Sequence, residues 1–556
     1  MVSSKRLYNW YVREFIVSPK VTRETGLMLS RYIALVAAMC MVLYGYDASV
    51  FNAAQGSDNW LEWFDLDTKR DANLIGLVNT AYTIGAIVAG WFFGGPTADY
   101  FGRRIGMGIG CLLTIAATFM QAFAPWHNLG CFIGGRVLIG IGQGMALSNV
   151  NPYPQIVQHR LETNTPTLPA AGPIYIGEVS PPEIRGQIMT FWQMFYSVGS
   201  FIAYWIAYAC NANKAALGHW DWRMVVIFQI LVPTIVIVLL PFQPESPRWW
   251  IKRHNNVDEA RKALRKIRDT EQDVEFEVRS IREAIEFENE AVSGSYLALF
   301  KDPSVRKRLY LAFVLNVGQQ LSGQGTLNSY SSAIYKTIWP STQTINLINA
   351  LNATCGILFT LNAVWTADRF GRRWLFIVGA IGMGICMLIV PVIGMTTPDV
   401  IGAKGAATKT QPVGISIVFL LFLFIFFYKP SWGATTWIWT SEVFSMNVRA
   451  QAVGMCSQMQ NVANTIFQQF FPIFLANEGL KCLFFFMATN FLLAVFVWFC
   501  IPETMKVPLE EIDSLFGGQN HVEKGGQMLG IADTHDAEEK ARVSMQQRET
   551  AEKASV

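Results

Sequence analysis

Thr97-Ala98-Asp99-Tyr100-Phe101-Gly102-Arg103-Arg104 recurs as Thr366-Ala367-Asp368-Arg369-Phe370-Gly371-Arg372-Arg373, with seven of eight positions identical. Each copy follows an apolar stretch long enough to cross a bilayer, so the repeat marks equivalent points in two related halves. Two further echoes keep the same order along the chain. Glu178 stands seven residues before Arg185, as Glu442 does before Arg449, and Pro244-Glu245-Ser246-Pro247-Arg248 is echoed by Pro502-Glu503-Thr504.

The 556 residues are 52% hydrophobic and only 15% charged, which places the chain among membrane proteins rather than soluble ones. A membrane helix needs about 20 apolar residues. Twelve such stretches run at about 32–53, 73–96, 105–124, 130–149, 188–210, 224–243, 309–331, 346–367, 374–396, 413–440, 450–475 and 482–501. They are continuous rather than alternating, which excludes a membrane β-barrel. The expected fold is therefore an all-α membrane protein with about twelve transmembrane helices in two six-helix halves.

The expected organisation is a cytosolic leader over 1–30, a first half over 31–243, a cytosolic linker over 244–307, a second half over 308–501 and a cytosolic tail over 502–556. The linker carries helical patterning from Val257 to Glu290, and the tail is polar and expected to be disordered after about 517. The opening segment has no apolar run before position 27 and no cleavage pattern, so it does not read as a signal peptide. Basic residues cluster at Lys252, Arg253, Arg261, Lys262, Arg265, Lys266, Arg306, Lys307 and Arg308, on the side that also carries both Gly-Arg-Arg loops. The positive-inside rule makes that side cytoplasmic, with both termini joining it. No retention signal is present, which leaves the plasma membrane as the expected location.

Two-fold repetition is how alternating-access transporters are built, with the solute held near the midplane between halves that rock. The repeated loops offer acids and paired arginines for ion pairs between the halves at the cytoplasmic face. The expected gate is Asp99, Arg103, Arg104, Glu178 and Arg185, with Asp368, Arg372, Arg373, Glu442 and Arg449. Inside the spans, Asp47 and Arg136 are costly to bury and functional by default. A carboxylate there, balanced between desolvation and a neighbouring arginine, is suited to couple proton binding to rearrangement.

Side-chain amides are donor and acceptor at once and suit sugar hydroxyls. Gln193, Gln319, Gln320, Gln324, Asn328, Asn352, Gln460, Asn461 and Asn464 are candidates, with Tyr44, Tyr330 and Trp437 as aromatic faces. No P-loop appears, the six histidines have no metal spacing and the nine cysteines are scattered. Neither an enzyme nor an ATP-driven pump is expected, no cofactor or metal is implied, and near-neutral net charge gives no reason to expect nucleic acid. The lipid bilayer and a sugar are the expected partners, with the proton as coupling ion.

Taken together, the Gly-Arg-Arg loops, Arg185-Gly186, PESPRW at 244–249, QQLSG at 319–323 and PET at 502–504 resemble the sugar porter family of the major facilitator superfamily. The resemblance covers about 30–516 and is nearest to fungal monosaccharide transporters. It implies sugar binding by Gln193, Gln319, Gln320, Trp437 and Gln460, and proton coupling by Asp47 and Arg136. The chain departs from the family pattern at Gly325 and Gly356, where the pattern has asparagine, and at Ala434 and Thr436, where it has proline.

The resulting expectation is proton-coupled uptake of a monosaccharide, a glucose-type hexose or a pentose such as xylose. A passive facilitator is the alternative. The short tail argues against a sugar sensor, and the amide-rich spans argue against an exporter of apolar compounds.

One stretch fits none of this. Between about Val150 and Ala170 the chain holds four prolines, a histidine, an arginine and a glutamate, none of which suits the end of a span. A retained intron or gene-model error at 150–170 is the expected cause. Sequencing the transcript tests this: the main message is expected to lack these codons, and a main message containing them contradicts it.

Overall fold

The structure is a computed structural model that describes residues 23–93, 97, 100–150, 182–266, 271–291, 300, 303–339, 341–398, 400–401, 407–444, 446–504 and 516. The leader before 23, the stretch 151–170, Asp99, Glu178 and the tail after 516 lie outside the described residues.

In a hydrocarbon layer a backbone amide has no water to bond to and must bond within its own segment. The first half accordingly forms span 1 (Arg23–Gly56), span 2 (Ala72–Val88, continued as a π-turn over Ala89–Phe93) and span 3 (Arg103–Ala122). Span 4 (Leu129–Val150), span 5 (Pro182–Ala212) and span 6 (Trp220–Phe242) complete it. The second half holds span 7 (Pro303–Leu321, then Gln324–Lys336), span 8 (Thr342–Phe370) and span 9 (Arg372–Thr396). Span 10 runs through Gln411–Tyr428, Lys429–Gly433 and Thr435–Glu442, followed by span 11 (Met446–Glu478) and span 12 (Leu483–Cys500). A two-residue ladder, Val400–Ile401 against Ala407–Thr408, decorates the loop before span 10. By length and composition, eight segments of the described residues can cross a membrane, one of which, Ala452–Cys500, contains spans 11 and 12 together.

Between the halves, Pro247–His254, Val257–Leu264 and Glu271–Ala291 form short amphipathic helices. Ser246 and Asn256 cap the first two by accepting from the amides of Trp249 and Glu259. Ion pairs of Arg261 with Glu275 and of Arg265 with Glu271 join the second helix to the third. The helical patterning read at Val257 to Glu290 thus corresponds to two helices separated by a short break.

Within the first half, span 1 packs along span 5 and span 4 lies against spans 2 and 3; in the second, span 9 packs on spans 10 and 12. The halves meet where span 5 packs on span 8, span 2 on span 11, and span 1 on the later part of span 7. This is the twelve-helix architecture in two six-helix halves that the repeat predicts.

The repeated loops fold into the same turn. Gly102 has φ/ψ of 91°/164° and Gly371 has 83°/158°, a region open essentially to glycine alone. A carboxylate fills the space beside each: a Cβ on Gly102 would lie 2.7 Å from Glu245 Oε2, and one on Gly371 would lie 2.6 Å from Glu503 Oε2. Glu245 accepts from the amides of Arg103 (2.9 Å), Arg104 (3.2 Å) and Ser246 (3.1 Å). Glu503 accepts from those of Arg372 (2.9 Å), Arg373 (3.0 Å) and Thr504 (3.1 Å). The two halves therefore share one motif in which a glutamate after the sixth helix closes the turn between the second and third.

Gly371→Ala is expected to cost about 1–3 kcal/mol from backbone strain alone, with displacement of Glu503 added to it. Gly479 also has positive φ but faces open space, so Gly479→Ala is expected to lower the thermal midpoint of the detergent-solubilised protein by less. Equal shifts for the two variants contradict this account of the turn.

Candidate functional site

Several spans break their regular hydrogen bonding near mid-length. Span 7 stops at Leu321 and restarts at Gln324, with Gly323 at φ 95° between the pieces, and Tyr330 is non-helical again at φ −127°. Span 10 widens into a π-turn over Lys429–Gly433, whose carbonyl at Lys429 accepts from Ala434 N at 3.2 Å. Irregular backbone at membrane depth is tolerated where it lines a cavity, and π-turns concentrate at functional positions. A cavity does lie there, with Gln324, Asn328 and Ser331 of span 7, Asn352 of span 8, and Leu421 and Ile425 of span 10 in its wall.

Further amides of spans 7 and 11 form two sets. Gln319 donates to the Trp432 carbonyl at 2.7 Å, and its own oxygen accepts from Gln460 Nε2. Gln320 Oε1 and Asn464 Oδ1 converge on Gly325, lying 2.6 Å and 2.8 Å from where a Cβ would stand. Glycine at 325 thus makes room for one amide of its own span and one of span 11. The oxygens of Gln324, Asn352, Gln460 and Asn464 are buried with no hydrogen-bond partner. Unsatisfied buried acceptors are expensive, so these four are ready for donors brought by a solute.

Trp437 is half-buried on the last helix of span 10. Gln193 lies on span 5, and its side chain is outside the described residues. Tyr330 differs from the sequence expectation. Its ring is buried, stacks on Phe471 at 5.7 Å, and its hydroxyl donates to the Gln468 carbonyl at 2.7 Å. The kink in its own backbone turns the side chain toward span 11, where it joins two helices.

Asp47 and Arg136 are fully buried in the first half. The guanidinium donates to the main-chain oxygen of Asp47 at 3.4 Å and lies over the rings of Phe51 (5.3 Å) and Tyr82 (4.8 Å). The Asp47 carboxylate instead accepts from Gln229, and its second oxygen has no partner. Gln229, set in a 3-10 turn in the middle of span 6, escaped the sequence reading although a buried amide in so apolar a helix is a visible signal.

The described gate residues Arg103, Arg104, Arg372, Arg373 and Glu442 occupy the end of the bundle that bears the repeated turns. Arg104 donates to the Gln243 carbonyl at 2.7 Å. Arg372 pairs with Glu442 at 2.9 Å, Glu442 accepts from Thr504 at 2.8 Å, and Arg373 reaches the Trp498 carbonyl. These contacts run within each half. The glutamates Glu245 and Glu503 hold the repeated turns onto their own half. Burial pushes the Glu245 carboxyl up, and the three amides and Arg103 oppose that. The side chains of Arg185, Asp368 and Arg449 lie outside the described residues.

At the opposite end the halves are bonded directly. Asn52 of span 1 donates to Ser331 Oγ at 2.6 Å and accepts from Ser332 N at 3.1 Å, Gln55 donates to the Ser329 carbonyl at 2.6 Å, and Lys336 pairs with Asp58 at 3.3 Å.

Lys429 is a further intramembrane charge that the sequence reading passed over. Eighteen residues of span 10 precede it and thirteen follow. Its ammonium donates to Ser197 Oγ of span 5 at 3.0 Å and lies 5.8 Å from the Tyr196 ring centre.

The sequence pattern of the family described as Sugar (and other) transporter matches residues 33–153 and 169–516. The chain belongs to this family. The family match omits 154–168, inside the stretch that the sequence reading found foreign to the fold. A probable quinate permease of Aspergillus fumigatus is 30% identical over 506 residues, covering 87% of this chain and 86% of that protein. The quinate permease of Emericella nidulans is 30% identical over 504 residues, covering 87% and 88%. Among solved structures, the xylose transporter XylE from E. coli in a partially occluded inward open conformation superposes with a TM-score of 0.68 at 23% identity, covering 86% of this chain and 100% of that one. XylE bound to 6-bromo-6-deoxy-D-glucose gives 0.66 at 24% identity, covering 88% and 100%. These structures share the major facilitator fold, and the chain is an integral membrane transporter of small solutes rather than an enzyme.

Glu503→Ala and Glu245→Ala each remove three amide-to-carboxylate bonds, which are charge-assisted. Each is expected to destabilise the detergent-solubilised protein by about 2–3 kcal/mol, read as a lower thermal midpoint; an unchanged midpoint for both contradicts the role given to the turn.

Proposed function

We propose that this chain carries a polyhydroxylated solute of monosaccharide size across the plasma membrane by alternating access, driven by a proton. The observation that carries the reading is the set of four unsatisfied amide oxygens, on Gln324 and Asn352 in the wall of the cavity and on Gln460 and Asn464 of span 11. Each can accept from a hydroxyl, and a solute that satisfies them removes a standing cost. Gln193, Gln319, Gln320 and Trp437 complete the proposed binding set.

Xylose and quinate, the solutes in the names of the related proteins, are both small polyols, which supports this class. Asp47 and Arg136 are the proposed proton-coupling groups. The free oxygen of Asp47 and the bond of Arg136 to the Asp47 main chain leave room for the two to re-pair when the carboxyl changes protonation. Asp99, Arg103, Arg104, Glu178, Arg185, Asp368, Arg372, Arg373, Glu442 and Arg449 are the proposed cytoplasmic gate. With the Gly-Arg-Arg loops on the cytoplasmic side, both termini are cytoplasmic, and 150–170 is proposed to be absent from the working protein.

The test is uptake of labelled D-xylose, D-glucose and quinate in a transporter-null yeast at acidic pH. Accumulation of at least one is expected, with a drop of about tenfold or more on adding a protonophore or in Asp47→Asn, equivalent to ~1.4 kcal/mol of lost driving interaction. Downhill flux unaffected by either makes the protein a passive facilitator, and no flux of any of the three overturns the proposed solute class.

A further inference from the structure

Lys429 sits where a cation is hardest to keep. A charged side chain within a bundle is costly and ordinarily pairs with an acid or lines a wet path. Among the described residues Lys429 has no acidic partner, unlike Lys336, which pairs with Asp58, and Arg372, which pairs with Glu442. Its described polar contact is a neutral hydroxyl, that of Ser197, which also meets Thr360 of span 8 at 3.2 Å. An ammonium has three donors, so two remain to be used.

The surroundings are shaped to leave the ammonium accessible. Lys429 is half-buried although it lies at mid-depth, so it borders internal space rather than packed protein. Its stem runs along span 8 at Gly356, where a Cβ would lie 3.9 Å from Lys429 Cε, in ordinary contact. One helical turn before Gly356, on the same face, is Asn352, whose unsatisfied oxygen is part of the polyol site. The Tyr196 hydroxyl accepts from Asn328 at 3.5 Å, which carries the cavity wall to the ring beneath the ammonium. The π-turn that begins at Lys429 is the backbone irregularity that presents it there.

We infer that Lys429 is the anion-binding residue of the solute site and that the preferred solute is a small polyhydroxylated carboxylate rather than a neutral sugar. The reading rests on the proposed solute class and narrows it. In this arrangement the amides of spans 7, 8 and 11 take the hydroxyls, and the ammonium takes the carboxylate by charge-assisted hydrogen bonds. Because Ser197 belongs to the first half and Lys429 to the second, a carboxylate that draws the ammonium changes a bond between the halves, which couples occupancy to their rocking.

The test compares inhibition of labelled solute uptake by quinate and by its methyl ester, which has the same hydroxyls without the charge. Wild-type protein is expected to favour the carboxylate by about 10- to 100-fold, the range for one charge-assisted hydrogen bond. Lys429→Met is expected to bring the ratio close to one, and Lys429→Arg to keep it above one. Equal inhibition by acid and ester in the wild-type protein overturns the inference whether or not the variants fold. So does a preference for the acid that survives in Lys429→Met. Uptake of neutral sugars without preference for the acid leaves the polyol transporter standing and removes only the role of Lys429, whereas failure of all solutes removes the underlying reading.

Discussion

Inside a lipid layer every peptide group has to find its hydrogen bond within the protein, and this requirement organises the rest of the molecule. It makes the spans helical, and it makes each departure from regular helix costly enough to need a reason. Apart from turns at the ends of spans 2 and 6, four departures stand out among the described residues: the break at Leu321–Gln324, the kink at Tyr330, the π-turn at Lys429–Gly433 and the 3-10 turn holding Gln229. Three of them surround or adjoin the midspan cavity, and the fourth delivers an amide to Asp47. The irregular backbone and the polar side chains thus occur at the same depth, which is the arrangement a transporter requires and a passive helical scaffold does not.

The second organising element is the glycine turn closed by a glutamate, present once in each half. It ties the sixth helix of each half to the turn between its second and third helices through Glu245 and Glu503. Each half therefore behaves as a braced body at that end, and movement is left to the contacts between halves. Those contacts are the packing of span 5 on span 8 and of span 2 on span 11, together with hydrogen bonds and an ion pair at the other end, around Asn52, Gln55 and Asp58. Hydrogen bonds of this kind exchange readily for others, in contrast to the apolar packing within each half.

Much of this was legible in the sequence because duplication and hydropathy are pattern properties. Seven matches in eight at TAD-x-FGRR identified the halves, and continuous apolar runs located the spans. The amides Gln319, Gln320, Gln324 and Gln460 are visible as polar residues in apolar surroundings, and in the fold Gln460 bonds Gln319 while Gln324 lines the cavity. What escaped depends on direction rather than composition. Tyr330 lies beside the cavity residues in sequence but is turned to span 11 by its own backbone. Spacing alone does not reveal that Glu245 and Glu503 reach back to the repeated turns, although the PES and PET echo contains the clue. Lys429 stands within FFYKPSW, where the aromatic residues make the run read as ordinary span.

The account stands or falls on whether the halves must part at the end where they are now bonded. Cysteines placed at Asp58 and Lys336, in a background without the nine native cysteines, allow the two halves to be joined there by a cleavable thiol cross-linker. Transport is expected to stop on cross-linking and to return when the linker is cleaved. Undiminished transport with the cross-link in place would contradict alternating access through this bundle.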